Sequence, residues 1–173
     1  MSNQSIETER KFLVCPFLDL NRLSETDPNL TLIAAKEINQ YYLMSNDISS
    51  VRVRKIVNHK EETISYTMTI KENLDEDFAF SVSEREFSIS KQTFEEISGQ
   101  AISAILKTRY EILDTSSGSI WELDSFSKSN LGSFLMAEIE LKSEDQKFNL
   151  PSFIQDEVTQ LPEYKNQNLA IKL

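Results

Sequence analysis

The chain has 173 residues, is 39% hydrophobic, and carries 28 acidic against 18 basic residues, for a formal net charge of −10. That length suits a single domain, residues 1–173, with a real core. The acidity argues against a nucleic acid as the primary partner, and no apolar run is long enough for a membrane helix. The opening MSNQSIETERKF has no signal or transit character, which favours the cytoplasm. Cys15 has no partner for an internal disulfide and reads as a buried small hydrophobe.

In chain order, strand-like alternation marks residues 6–14, 36–44, 50–56, 64–71, 78–89, 104–113, 119–126 and 135–141. Residues 20–30 are rich in Ser, Asn, Asp and Pro and read as a loop, and 30–38 fits helix or strand. Residues 75–77 and 114–119 read as turns. Ser90 is placed to cap a short helix carrying Phe94 and Ile97, and a second short helix is expected over 165–170. Pro151 bars a regular central strand at 148–154, which is expected to pack against the sheet. Eight strands and few helices point to an antiparallel barrel or sandwich.

The strands are unusual in what they alternate. Residues two apart share a face, and seven strands place charge on one: Glu7, Glu9 and Lys11; Arg52 and Arg54; Lys71, beside Thr69; Glu84 and Glu86; Lys107 and Arg109; Glu122 and Asp124; Glu138 and Glu140. Any one pair alone is a wet strand face. Together they supply six cations and eight carboxylates, and if all turn inward the interior must be wet and internally paired or hold ions. The cations suit a polyphosphate and the carboxylates suit Mg²⁺ or Mn²⁺. Both together suit metal-assisted phosphoryl chemistry. His59 reads as an exposed turn residue, Trp121 and Phe126 as core rather than a base-stacking platform, and Asn166 as a turn or cap residue.

The segment Ile6 to Val14 (IETERKFLV) resembles the E-x-E-x-K signature of the triphosphate tunnel metalloenzymes, or CYTH superfamily. Matching blocks follow in order: QYYL, with Tyr41 at a glycine position; VRVR with Arg52 and Arg54; TMTIK with Lys71; EREFSI with Glu84 and Glu86; KTRY with Lys107 and Arg109; WELDSF with Glu122 and Asp124; AEIELKSED with Glu138 and Glu140; and an E-V-T…Y-x-N-x-x-L tail. Val82 stands where many members carry arginine, and Ser88 where some carry a third acid. Tyr41 is expected to narrow the tunnel mouth or alter a turn.

The resemblance, closest to the small bacterial tripolyphosphatases, implies a mainly β (α+β) fold. It would be a closed eight-stranded antiparallel β-barrel forming a charged tunnel, with a few short flanking helices. It implies metal-dependent hydrolysis of the terminal phosphate of tripolyphosphate or an organic triphosphate. Lys11, Arg52, Arg54, Lys71, Lys107 and Arg109 would bind phosphate, and Glu7, Glu9, Glu138 and Glu140 would hold Mg²⁺ or Mn²⁺. Glu84, Glu86, Glu122 and Asp124 would support them, and Glu7, Glu9, Lys11, Arg52 and Arg54 would form the catalytic centre. The rival readings are an adenylyl cyclase on the same scaffold and a non-catalytic polyphosphate or nucleotide binder. No membrane partner is implied, and monomer and homodimer both fit.

Overall fold

The computed structural model describes residues 3–46, 48–73, 81–143 and 145–173, with the backbone alone for 3–7, 73, 81 and 82. The expected turn tip at 75–77 and the expected strand start at 78–80 lie outside these residues.

Ten strands form one sheet. They are β1 (Asn3–Val14), β2 (Leu30–Ser45), β3 (Ser49–Asn58), β4 (Thr63–Asn73), β5 (Ser81–Ser88), β6 (Ser103–Asp114), β7 (Ser119–Phe126), β8 (Phe134–Leu141), β9 (Ile154–Glu157) and β10 (Ile171–Lys172). Their order is β10-β6-β2-β3-β4-β5-β1-β8-β7, with β9 beside β1 and a further pairing of β7 with β6. Among the described residues three short α-helices interrupt them: α1 (Leu23–Thr26), α2 (Lys91–Ser98) and α3 (Asn166–Leu169). Ser90 caps α2 as expected, its hydroxyl accepting from the Thr93 N–H at 3.0 Å. Among the described residues no helix is long and apolar enough to cross a membrane.

The expected closed eight-stranded barrel is corrected to a mixed α+β fold with a large antiparallel sheet. The reason lies in β1. Its residues 3–8 pair with β5, and its residues 8–13 pair with β8 on the other side. Beyond Thr8, the edge that faced β5 passes to β9 through Phe12 and Val14. A ring of eight strands with continuous partners does not describe that wall. Two more sequence expectations change. Residues 30–38 are strand, joined to the rest of β2 and paired with β6, and the 20–30 loop contains α1.

The alternation divides the sheet into two faces. Outward-turned Phe12, Trp121, Leu123 and Ile139 are buried with Leu23, Leu30 and Phe153 in one core, covered by α1 and by the 148–154 segment. Phe148 and Phe12 both meet the Trp121 ring edge-on, at 5.8 and 5.7 Å. Trp121 and Phe126 are therefore core residues. Tyr41 also faces outward, against Phe94 of α2 at 5.8 Å, and does not line the interior. Cys15 is only partly buried.

The inner face is charged along part of its length and apolar at one end. Leu13, Tyr42, Ile105, Phe126 and Met136 share strand parity with the charged residues, and they cluster with Val158, Leu169 and Ala170 of the tail. This apolar seal packs beside the charged lining. The remaining space is a charged cavity of about 140 Å³.

Candidate active site

Each inward side chain is placed by strand register. Lys11 stands directly opposite Glu138, and Glu9 opposite Glu140, across the β1–β8 ladder. Arg109 stands opposite Asp124 across β6–β7. Arg52 lies opposite Thr69, and Lys71 opposite Glu84, on the successive pairings of β3, β4 and β5. Opposite signs meet directly at Lys11–Glu138, Arg109–Asp124 and Lys71–Glu84, which offsets part of the cost of burying so much charge.

Two networks result. In the first, the Lys11 ammonium touches Glu9 at 2.8 Å and Glu138 at 2.5 Å. Arg109 reaches Glu138 at 2.8 Å, grips Asp124 through two hydrogen bonds of 2.7 Å, and also meets Glu122. Lys107 donates to Asp124 and, at 3.2 Å, to the Asn166 carbonyl oxygen. In the second network, Glu84 takes Lys71 at 2.7 Å and Arg52 at 3.5 Å, while Arg54 approaches Glu86 at 3.3 Å.

The networks set the charges. Burial alone would raise the carboxyl of Glu138, but Lys11, Lys107 and Arg109 outweigh it and hold it well below the usual carboxylate range. Burial likewise opposes Glu9, and Lys11 with Lys71 wins, so it too is lowered. Lys11 is held above its ordinary range because Glu138 and Glu9 overcome its desolvation. Lys107 goes the other way. Burial, then the Arg109 charge, push it down to about 8 despite Asp124. Its ammonium sits 5.5 Å from the Phe126 ring centroid, where the charged cavity meets the apolar seal. Burial and the Arg52 charge push Arg54 down to about 10.

The cavity gathers Glu9, Lys11, Arg52, Arg54, Lys71, Glu84, Lys107, Arg109, Glu122, Glu138 and Glu140. Asp124 and Glu86 do not line it. Asp124 lies wholly buried behind Lys107 and Arg109, and Glu86 sits half-buried at the margin. The side chains of Glu7 and Val82 lie outside the described residues.

Sequence reasoning missed Gln40, Tyr42, Ser50, Lys165, Asn166 and Gln167, all of which line the cavity. Gln40 and Tyr42 were legible in principle, since they have the parity of the inward charges. The tail was not, because its turns have no period. Asn166 is in part what was expected, since it opens α3, but it also reaches the cavity. Its side chain caps nothing; it bridges Lys107 and, through its amide nitrogen at 3.4 Å, Glu138. His59 is exposed and bonds Glu37.

Two features bear on what the cavity holds. The Nε atoms of Arg52 and Arg54 are buried without a hydrogen-bond partner among the described residues. Both arginines line the cavity, and guanidinium donors left short of partners suit phosphate oxygens. Hard carboxylate oxygens suit a divalent cation, and Glu9 and Glu138 lie close enough to share one, since both touch the same Lys11 ammonium. No group of three potential ligands stands ready among the described residues.

The chain is similar to several known proteins. The CYTH domain family model matches residues 5–170. An inorganic triphosphatase of Acetivibrio thermocellus is 28% identical over 164 residues, covering 95% of this chain and 92% of that protein. Among solved structures, the PH1012 protein of Pyrococcus horikoshii OT3 superposes with a TM-score of 0.58 at 25% identity, covering 79% of this chain and 80% of its own. A conserved hypothetical protein of Pyrococcus furiosus, at 23% identity and TM-score 0.57 over 80% of each chain, shares the fold.

Proposed function

The chain belongs to the CYTH domain family, and from that premise we propose that it hydrolyses the terminal phosphate of inorganic triphosphate or a related organic triphosphate, with Mg²⁺ or Mn²⁺. The observation that carries the reading is the pair of orphaned, buried Nε donors on Arg52 and Arg54 in a cavity that Lys11, Lys71, Lys107 and Arg109 also line. The similar inorganic triphosphatase supports the choice of inorganic triphosphate.

In this reading the six cations bind the phosphate chain and offset charge on the transferring phosphoryl and on the leaving pyrophosphate. A water oxygen bonds to the terminal phosphorus, the bond to the bridging oxygen breaks, and orthophosphate and pyrophosphate leave. Glu9, Glu138 and Glu140, with Glu7, would hold the divalent ion. When bound it supplies Lewis-acid stabilisation of phosphate oxygens. Lys11 then has a second role: it keeps Glu9 and Glu138 ionised and close together. Asp124 and Glu84 orient the cations and touch no substrate. The Lys11 bridge also favours a second reading, polyphosphate binding without turnover, in which the carboxylates serve the lysine alone.

Phosphate release from tripolyphosphate, thiamine triphosphate and ATP, each with Mg²⁺, Mn²⁺ or excess EDTA, separates these readings. Metal-dependent release from tripolyphosphate, abolished in Glu9→Gln, is the expected result. No release from any of the three substrates, with binding retained in EDTA, would overturn hydrolysis and leave the binder.

A further inference from the structure

The cavity is more cationic than its motif residues alone. Glu86 and Asp124 drop out of its lining, the Glu7 side chain lies outside the described residues, and Lys165 joins, so among the described residues seven cations face five carboxylates. Lys165 differs from the other six. Each of those contacts a carboxylate, whereas Lys165 makes no ion pair and no side-chain hydrogen bond among the described residues.

Lys165 is nevertheless well placed. Its N–H donates to Pro162 at 3.0 Å, and its carbonyl accepts from Asn168 at 2.8 Å and Leu169 at 3.0 Å. The next residue, Asn166, is tied to Lys107 and Glu138 inside the cavity. Gln167 donates to the Asn46 carbonyl at 3.0 Å, fixing the tail to the turn between β2 and β3. The backbone of Lys165 is therefore held in place, and its ammonium breaks no ion pair on meeting an anion, which offsets part of the cost of ordering the side chain.

We propose that Lys165 is a substrate-binding residue, which recognises an anionic phosphate group of the polyphosphate at the tail side of the cavity. This rests on the polyphosphate reading above. It adds a contact from outside the sheet, so the ligand is gripped from the tail as well as from the strands. The charge of Lys165 is not already spent on a carboxylate.

The test is calorimetric titration with sodium tripolyphosphate in EDTA, which needs no metal and no turnover. Wild type is compared with Lys165→Met, Lys165→Arg and, as a surface control, Lys128→Met. Loss of one charge-assisted contact is expected to weaken binding about tenfold in Lys165→Met. Arginine is expected to restore most of it, and the control to match wild type. Unchanged thermal unfolding of Lys165→Met separates lost recognition from lost structure. Wild-type affinity in Lys165→Met overturns the role of Lys165 and leaves the polyphosphate reading standing. Absence of tripolyphosphate binding by wild type overturns both.

Discussion

Arg109 and Asp124 face each other across the β6–β7 ladder and meet through two parallel hydrogen bonds of 2.7 Å, with the carboxylate wholly excluded from solvent. Lys107 completes the group. One buried acid therefore holds two of the cavity's cations in place. Its isosteric amide in Asp124→Asn would leave both cations short of charge. Unfolding in urea is expected to show a loss of about 3–5 kcal/mol, with the cavity's anion affinity disturbed as well. A variant as stable as wild type would show that Asp124 does not carry this load.

Arg52 lines the cavity, its Nε is buried without a hydrogen-bond partner among the described residues, and its carboxylate partner Glu84 lies 3.5 Å away. Arg52→Met is expected to weaken tripolyphosphate binding by on the order of 2–5 kcal/mol, the usual loss for a buried charged contact. Titration in EDTA measures it. A loss within error would mean that this strand face is merely solvated.

Lys107 supplies a pH signature. Its folded value of about 8 lies below the unfolded value of about 10.4. Between those values the unfolded chain binds more protons, so this lysine makes stability rise with pH over that window. Anion binding runs the opposite way, because the ammonium is lost as pH passes about 8. Tripolyphosphate affinity is expected to fall between pH 7 and 9 in wild type, and to fall less in Lys107→Arg. Equal slopes would remove Lys107 from the contact set.

The cap on α2 gives a test of the scaffold alone. Ser90→Ala removes the acceptor for the Thr93 N–H and is expected to cost about 1 kcal/mol. Because α2 packs on the outward Tyr41 and Tyr66, tripolyphosphate affinity is expected to stay unchanged. Altered affinity would show that the outer layer couples to the cavity.

Much of the site was legible because charge alternates with apolar residues inside strands. Lys11, Arg52, Arg54, Lys71, Lys107 and Arg109 all reach the cavity. Parity alone does not reveal depth. Glu122 and Asp124 share a face, yet Glu122 lines the cavity while Asp124 sits behind the cations. β9 has four residues after a proline, too few for a period, and only its pairing to β1 shows how that wall is built. Asn166 and Lys165 lie in a tail of turns, and their roles depend on contacts far away in the chain.

The Lys11 N–H donates to the Thr159 hydroxyl, a residue 148 positions later. A ribosome makes Lys11 long before Thr159. Until that late segment emerges, the nascent chain carries several cations and carboxylates whose partners or cover do not yet exist. Assembly of the cavity therefore waits for a segment 148 positions later, and contacts so distant in sequence fold slowly. A ribosome stalled before residue 159 would expose a sticky, half-neutralised sheet, the kind of nascent surface that chaperones hold.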